Sequence, residues 1–437
     1  MNETSLDSRQ ASRQRSGSES NSPDLLFGWK TKRLGEVVDI YDKRRIPLSE
    51  TKRQGMKGDY PYCGANGVLD HINNYLFEGE FILLAEDGGH WGAFEKSAYI
   101  MNAKFWVNNH AHVLQAKAGL ADNQFIAYLL NYLNLNPFIM GTTRGKLNQG
   151  TMANMLIPVP PYDRQLTIAK ALQRVKIAIE SREQEIRLER ERKAALMEHL
   201  FTHGTQREPT KQTEIGEMPS SWDVTTPQVL LDTEIIADIQ DGNHGERHPK
   251  QSDFQRSGIP FLTADCIREG KIDFHHAKYL DESWLDKLRV GFAKPGDVLL
   301  THKGTVGETS IVNERHDVVI LSPQVTYYRI KNSERLYHKY LFAVFQSSVF
   351  RSQLKRLAST QRTRAYVGIT KQKNIKIPLP KFAEQVKIAT VLSACDKKST
   401  ALDGESALLA ELFQALLEGL MTGRLPTNAL FEAERHE

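Results

Sequence analysis

The stretch that decides the fold is Ile157-Pro158-Val159-Pro160, because the chain repeats it as Ile377-Pro378-Leu379-Pro380. The two copies lie 377 − 157 = 220 positions apart, and residues 157–204 align with 377–424 at that offset without a gap. The repeated positions include Gln165/Gln385, Ile168/Ile388, Ala169/Ala389, Leu172/Leu392, Leu196/Leu416 and Leu200/Leu420. This period exceeds that of solenoid repeats, which run about 20 to 50 residues. The sequence therefore predicts a duplicated domain-plus-helix unit with an internal pseudo-two-fold.

Each copy continues as a long helix with a heptad seam. The first seam consists of Ile168, Leu172, Val175, Ile179, Arg182, Ile186, Glu189, Lys193, Leu196 and Leu200. The second consists of Ile388, Leu392, Cys395, Ser399, Leu402, Ser406, Leu409, Phe413, Leu416 and Leu420. A period of about 3.5 residues over this length predicts a coiled coil of roughly 60 Å. We expect Gly204 and Gly423 to end the helices, and the polar positions Arg182, Glu189 and Lys193 to fix the register.

Two globular segments precede the helices and resemble each other only loosely. Gly79-Glu80-Phe81-Ile82-Leu83 is similar to Gly296-Asp297-Val298-Leu299-Leu300, and Thr143-Arg144 matches Thr363-Arg364 at the 220 offset. Helices are predicted over 122–135 and 334–357. The helices are alike, whereas the domains differ in length and sequence. This pattern indicates a common framework that carries two different recognition domains. The predicted organisation is a disordered arm (1–24), a first domain (25–156), a central helix (157–206), a second domain (207–376), a C-terminal helix (377–425) and a tail (426–437).

Composition points to a folded, soluble chain. Of the 437 residues, 40% are hydrophobic and 25% are charged, with a net charge of +4 and a pI near 8.7. No apolar run approaches the roughly 18 residues that a membrane span needs, and the N-terminus lacks the apolar core of a signal peptide. The three cysteines lie far apart, so neither a disulfide framework nor a zinc site is indicated. We expect a cytoplasmic protein with an α+β fold and no membrane association.

The sequence carries no convincing catalytic or metal-binding motif. The segment 141–147 resembles a P-loop, but it has three residues between its glycines and a leucine where a hydroxyl side chain must hold magnesium. Val159-Pro160-Pro161-Tyr162 lacks the polar first residue of the amino-methyltransferase motif. Histidines at 110, 112, 275 and 276 lack further ligands at a sensible spacing. We therefore predict no catalytic residue and no metal site.

Basic and polar loops remain as candidates for DNA binding. Arginine reads guanine bidentately, asparagine reads adenine, and lysine mostly contacts phosphate. Any single cluster could be ordinary solvated surface, but their recurrence in both halves favours a binding role. Arg144 and Arg364 lead, because each lies on the loop between a domain helix and the Ile-Pro-x-Pro segment. The candidates are Lys43, Arg44, Arg45, Asn66, Arg144, Lys146, Asn243, His244, Arg247, Lys250, Lys303, Arg362, Arg364 and Tyr366.

Taken together, these motifs resemble those of the specificity subunits of type I restriction–modification systems. The resemblance rests on the Ile-Pro-x-Pro segments, on Gln385 with Ile388-Ala389, and on Trp29 and Trp222 at the starts of the domains. Asp241-Gly242-Asn243-His244, Gly258–Leu262 and Pro295–Leu299 also fit that family. The resemblance covers nearly the whole chain after the N-terminal arm. The first unit departs from it, since it lacks a clear Asp-Gly-x-His and has Asp163-Arg164 before Gln165.

The resemblance implies two target-recognition domains, each reading half of a gapped site in double-stranded DNA. The two long helices would pack antiparallel and act as a ruler between them. Two methyltransferase subunits would dock, one per repeat, and bring S-adenosylmethionine, while restriction and translocase subunits would bring ATP and magnesium chemistry. This chain would hold no cofactor and would be catalytically silent. Contact with the methyltransferase subunits is expected at Gln165, Ile168, Leu172, Gln385, Ile388 and Leu392.

Two other classes compete with this interpretation. A stand-alone DNA-modifying enzyme, either a methyltransferase or a nuclease, would bind S-adenosylmethionine or cut DNA by itself. The missing glycine-rich cofactor loop and the valine at 159 argue against it. A coiled-coil scaffold without a DNA role would be insensitive to charge reversal at Arg144 and Arg364.

Overall fold

The computed structural model describes residues 28–141, 145–244, 248–359 and 365–426. The chain forms two compact units, and the first takes residues from both ends of the sequence. It comprises the chain up to Arg182 together with the chain from Glu405 onwards. The second unit is the continuous stretch Glu183–Gly404. No helix within the described ranges is long and apolar enough to cross a membrane.

Within the described residues, the first unit contains eight strands and the beginning of a long helix. Its strands are β1 (Lys30–Arg33), β2 (Val38–Ile40), β3 (Lys57–Gly64), β4 (Gly67–Ile72), β5 (Phe77–Ala85), β6 (Ala98–Val107), β7 (Ala111–Ala116) and β8 (Leu156–Val159). Its helices are α1 (Leu34–Val37), α2 (Glu50–Gln54), α3 (Asn123–Tyr132), α4 (Gln149–Ala153) and α5 (Tyr162–His203), the last of which continues into the second unit.

Six of these strands make one sheet in the order β2-β7-β5-β6-β3-β4. The β3–β6 pair is parallel and the other pairs are antiparallel. One face of the sheet is covered by α3, whose buried Phe125, Ile126 and Leu129 join the apolar side chains of β5 and β7 in the main core. Asp122 begins α3 by accepting a hydrogen bond from the Phe125 amide at 2.8 Å, as an N-cap residue does.

The second unit is richer in strands. They are β9 (Thr210–Thr213), β10 (Gly216–Pro219), β11 (Asp223–Thr225), β12 (Ile236–Asp241), β13 (Ile259–Leu262), β14 (Ile267–Arg268), β15 (Lys271–Ile272), β16 (Lys278–Leu280), β17 (Phe292–Ala293), β18 (Val298–Lys303), β19 (Thr305–Ile311), β20 (Val319–Leu321), β21 (Val325–Ile330) and β22 (Ile377–Leu379). Its helices are α6 (Pro227–Asp232), α7 (Trp284–Lys287), α8 (His338–Gln346), α9 (Ser348–Ser359), α10 (Ile369–Gln372) and α11 (Phe382–Met421), whose last part belongs to the first unit.

Two four-stranded sheets organise the second unit, in the orders β12-β21-β18-β19 and β16-β13-β20-β17. Leu300, Tyr328 and Val344 contribute to the large core between the first of these sheets and α8. A buried carboxylate ties the ends of the long helices to this unit. Glu384, near the start of α11, accepts hydrogen bonds from Trp222 Nε1 at 3.0 Å and from the Thr205 amide at 2.8 Å.

The repeated Ile-Pro-x-Pro segments are strands in both units. β8 pairs antiparallel with β1 so that Val159 faces Lys30, and β22 pairs antiparallel with β11 so that Leu379 faces Asp223. Lys30 and Asp223 each follow the tryptophan that starts a domain. The 220-residue offset therefore preserves the strand register as well as the sequence.

The long helices contact one another in antiparallel fashion within each unit. Every seam position predicted from the heptads is buried or half-buried. The three polar seam residues form ion pairs with the facing helix: Arg182 with Glu405 at 2.9 Å, Glu189 with Lys398 at 3.1 Å, and Lys193 with Asp396 at 2.5 Å. Gly204 and Gly423 have φ values of +66° and +71°, the left-handed conformation that ends helices.

The segment 157–206 opens with the end of β8, and its helix α5 starts at Tyr162, directly after Pro161. One local prediction is wrong. The single helix predicted over 334–357 is two helices, α8 and α9, which meet at Ser347 with an extended ψ of 154°. The buried Ser347 hydroxyl accepts a hydrogen bond from the Phe350 amide, so this side chain caps the second helix.

Candidate nucleic-acid interface

The predicted DNA-binding residues within the described ranges fall into two groups, one in each unit. The first group is Lys43, Arg44, Arg45, Asn66 and Lys146, and the second is Asn243, His244, Lys250, Lys303 and Tyr366. Arg144, Arg247, Arg362 and Arg364 lie outside the described residues.

In the first unit, a short 3₁₀ turn after β2 presents two exposed cations. Lys43 and Arg44 lie on this turn, Asp42–Arg44. The Arg44 guanidinium stands 4.7 Å from the centre of the Phe77 ring and donates to the Leu76 carbonyl at 2.7 Å. These contacts hold the guanidinium at the surface, where it can meet a phosphate or a base edge.

Arg45, the next residue, points inward. Its side chain is only 12% exposed, and its Nη1 donates to Glu86 Oε2 at 2.5 Å and to the Ala111 carbonyl at 2.7 Å. A guanidinium held this way is committed to a buried ion pair. We therefore correct its assignment as a DNA contact.

The segment 86–88, just after β5, is contacted by side chains from distant parts of the first unit. Asn66, exposed in the β3–β4 turn, donates to the Gly88 carbonyl at 3.0 Å. Lys146 Nζ lies 2.8 Å from Glu86 Oε1 and remains 47% exposed. Its backbone pairs with Met140 and Asp87 in isolated β-bridges. Loops that are separated in sequence thus meet where β5 ends. We call this end of the strands the edge of the unit, and polar and cationic groups lie on its outside.

Beneath this edge lies a buried polar cluster that sequence reasoning missed. His112 on β7 places Nδ1 2.6 Å from Asp42 Oδ2 and Nε2 2.7 Å from the Leu147 carbonyl. Asp42 also accepts from the Val113 amide at 2.9 Å. The sequence shows the histidine spacing, but no local pattern connects position 112 with positions 42 and 147.

Neighbouring positive charges explain how two carboxylates can be buried together in this cluster. Burial would raise the pKa of Glu86, but hydrogen bonds from Lys146 and Arg45 outweigh it, so the pKa lies below its ordinary value. Asp42, Glu86 and His112 place ligand atoms within 4.8 Å of one another. Both ring nitrogens of His112 are already engaged, and Arg45 and Lys146 supply positive charge. The geometry fits an ion-pair network rather than a metal site.

The second unit has a comparable edge around the end of β12. Asp241 is buried there and accepts from the exposed His244 at 2.7 Å. Asn243 lies between them in sequence and is half-buried. Lys303, exposed at the end of β18, pairs through its backbone with Tyr366. Lys250 is exposed in a separate turn, where its amide donates to Asp253 at 2.6 Å.

A buried histidine also lies beneath this second edge. His302 places Nδ1 3.2 Å from the Val367 carbonyl, and its own carbonyl accepts from the Val367 amide at 3.0 Å. Its Nε2 stands 3.9 Å from Asp241 Oδ2 and has no hydrogen-bond partner among the described residues. Burial lowers the pKa of His302, although Asp241 acts in the opposite direction.

The residues expected to contact methyltransferase subunits lie in the interior. Ile168, Leu172, Ile388 and Leu392 are each at most 3% exposed, and both glutamines are fully buried. Gln165 and Gln385 bond to backbone groups of their own units. Since these side chains offer no surface to a partner, we correct their assignment as contact residues.

Two mixed α/β domains joined by a heptad helix, each with exposed cations and polar groups at one edge, have the features of a duplicated DNA-recognition protein. Comparison with known proteins gives the family. The type I restriction modification DNA specificity domain matches residues 27–190 and 236–411. The chain belongs to this family, as its motifs predicted.

Individual relatives and solved structures agree. The chain is 26% identical to the type I restriction enzyme MjaVIII specificity subunit of Methanocaldococcus jannaschii, over 91% of this chain and 93% of that protein. It is 27% identical to a putative type I restriction enzyme specificity subunit of Haemophilus influenzae, over 89% and 93%. The crystal structure of a type I restriction-modification S subunit from M. genitalium covers 90% of this chain and 96% of its own, with a TM-score of 0.61. At 14% identity, that likeness concerns the fold.

Proposed function

We propose that this chain directs methyltransferase and restriction subunits to a bipartite, gapped DNA site, with each unit reading one half-site. The observation that supports this most directly is the pair of matched edges. Repeat positions 146 and 366 each lie beside exposed polar or cationic groups, with a buried histidine beneath. The domains differ in sequence around this common arrangement, as two readers of different half-sites would.

Within this proposal the chain contributes recognition and no chemistry. Two methyltransferase subunits would bring S-adenosylmethionine, and restriction subunits would bring ATP and magnesium. With Gln165 and its equivalents buried, docking would use exposed positions near the same helix starts. Tyr162 and Leu166 on α5 and Val391 on α11 are exposed there.

The decisive experiment maps methylated bases in DNA modified by the assembled methyltransferase complex. We expect a bipartite motif with a fixed spacer. A continuous motif, or methylation without sequence preference, would contradict the proposal. If the purified chain alone bound labelled S-adenosylmethionine, the stand-alone enzyme would be favoured instead.

Substitutions that reverse or remove a positive charge test the predicted contacts within the same complex. Arg144→Glu and Arg364→Glu should each weaken specific duplex binding by about five- to 150-fold, since a good bidentate base contact contributes about 1–3 kcal/mol. Lys146→Ala and Lys303→Ala should weaken binding across all sequences and reduce its salt dependence, as loss of a phosphate contact does. The exposed Lys176→Ala on α5 is the control. Unchanged binding in all four variants would place the interface elsewhere.

A further inference from the structure

The two buried histidines contact the same repeat position. His112 bonds to the carbonyl of Leu147 and His302 bonds to the carbonyl of Val367. These two partners are related by the 220-residue offset, since 367 − 147 = 220. Each partner directly follows a predicted DNA-binding residue, Lys146 or Tyr366.

The histidines themselves are not related by the repeat. His112 lies on β7, which runs between β2 and β5, whereas His302 lies on β18, which runs between β21 and β19. They also use different nitrogens, Nε2 in His112 and Nδ1 in His302. The shared feature is therefore the anchored carbonyl, which the two units reach from different strands.

Each anchor is reinforced by a second backbone contact at the same residue. The Leu147 amide donates to the Glu86 carbonyl at 2.7 Å, and the Val367 amide donates to the His302 carbonyl at 3.0 Å. Both peptide groups at the anchored position are thus fixed to the sheet. The fixed peptide groups also restrict the directions in which the side chains of Lys146 and Tyr366 can point, because a planar peptide links each of these residues to the fixed one.

A buried histidine is a costly way to fill a core position. An apolar side chain would fill the same space without desolvating two ring nitrogens. Base readout, in contrast, requires that side chains be held within about 0.5 Å of their productive place by supporting contacts. A buried histidine that donates to the backbone beneath each interface would supply such a supporting contact.

We infer that His112 and His302 are positioning residues, each of which fixes a backbone carbonyl and thereby aims the adjacent part of the DNA-reading surface. This inference rests on the proposed function, because it requires that the two edges read DNA. It adds that half-site discrimination depends on a specific ring nitrogen in each unit.

The different nitrogens provide a matched test by amide substitution. A glutamine amide can occupy the place of Nε2, and an asparagine amide can occupy the place of Nδ1. His112→Gln should therefore keep the bond to Leu147 and lose the one to Asp42, whereas His112→Asn should do the reverse. In the second unit the order reverses: His302→Asn keeps the bond to Val367, while His302→Gln loses it.

Each variant is assembled with the methyltransferase subunits, and the binding constant is measured for the cognate duplex and for duplexes with one half-site altered. We expect His112→Asn to reduce discrimination at one half-site about tenfold, the contribution of one good base contact, and His302→Gln to do the same at the other. The rescuing variants should stay within about twofold of the unsubstituted chain. Exposed His71→Gln and His275→Gln serve as controls.

The outcomes separate this inference from the proposed function. An unsubstituted complex without a bipartite preference would defeat the proposed function. A bipartite preference that survives all four substitutions would defeat only the positioning role. Equal effects of the asparagine and glutamine variants at both sites would overturn the inference, because they would show that the histidines only fill space in the core. Equal losses of discrimination at both half-sites from one substitution would overturn it for the same reason.

A measurement on the unsubstituted chain covers the case in which a variant does not fold. Hydrogen exchange in the assembled complex should show slow exchange of the Leu147 and Val367 amides, since both donate to the sheet. Exchange of either amide at the rate of an unstructured peptide would contradict the anchoring.

Discussion

Gln165 and Gln385 show how one residue type maintains the repeat at the scale of single side chains. Each amide nitrogen donates to two carbonyls, those of Leu120 and Pro160 for Gln165 and those of Arg335 and Pro380 for Gln385. Each amide oxygen accepts from the backbone N–H of the N-cap residue that precedes a domain helix. These fully buried side chains join the Ile-Pro-x-Pro strand to the helix, so they account for part of the gap-free alignment.

Removing such a residue should destabilise its unit strongly. Gln385→Ala leaves a buried N–H and two carbonyls without partners, and we expect a loss of about 3 kcal/mol in the free energy of unfolding, because each unsatisfied group costs about 1–3 kcal/mol. Denaturant unfolding of the second unit measures the change. The exposed Gln206→Ala should have little effect, and an equally small effect of Gln385→Ala would refute the structural role.

Buried thiols should resist alkylation in the folded chain. Burial raises the pKa of Cys63 to about 12 and also raises the pKa of Cys266. Because the thiolate is the nucleophile, these thiols should remain unmodified by iodoacetamide at pH 8 until the chain is unfolded. Mass spectrometry of the labelled peptides gives the rate. Rapid labelling of Cys63 in the native chain would show that its site opens.

At the scale of elements, the helix pair carries ionic contacts inside its seam. Glu189 is only 4% exposed, and its carboxylate meets Arg192 at 2.5 Å and Lys398 at 3.1 Å. A lone buried carboxylate would be costly, so these partners are required for the helices to pack in this register. An apolar seam would tolerate sliding by a heptad more readily than this arrangement does.

This contact predicts a loss of stability in acid. The hydrogen bond from Arg192, followed by that from Lys398, holds the pKa of Glu189 below its ordinary value of 4.5. A lowered folded-state pKa stabilises the fold above 4.5, and this contribution disappears as pH falls through the folded-state pKa. The thermal midpoint of the second unit should therefore drop in acid, and Glu189→Gln should lessen the drop while lowering the midpoint at pH 7. The exposed Glu191→Gln should follow the unsubstituted chain.

Local signals in the sequence predicted the elements better than the site. The heptads and the terminal glycines gave both long helices, because helix periodicity is a short-range property. Ser347 interrupts the second domain's helix through its own capping bond, which an apolar pattern does not reveal. The cluster of Asp42, Glu86 and His112 has no signature in the sequence, because only the sheet brings those positions together. Arg45 was misassigned for the same reason, since its partner Glu86 is 41 residues away.

At the scale of the whole molecule, the first unit is built from both ends of the chain. Leu417, Leu420 and Met421 of α11 lie in the same core as Ile168 and Leu172 of α5. Phe413 packs edge-on against Tyr128 of α3 at 6.0 Å. The first domain therefore depends on apolar side chains that the chain supplies only at its end.

Truncation should expose this dependence. A chain that ends at Gly404 loses the three core residues of α11, and we expect its first unit to unfold at a lower temperature and to be cut sooner by protease. The second unit should keep its own transition. Truncation after residue 426 is the control, and adding a 405–437 peptide should restore the first unit. An unchanged first transition in the shorter chain would show that α11 is dispensable to it.

The use of both ends by one unit has a consequence for biosynthesis. A ribosome reaches Glu405 only after adding the 222 residues from Glu183 to Gly404. At about 5–20 residues per second, the first domain waits on the order of ten to forty seconds with part of its apolar surface uncovered. The second unit is complete once Gly404 has been added, before the α11 residues that the first core needs, so the N-terminal domain reaches its native state last and is exposed to aggregation for longest.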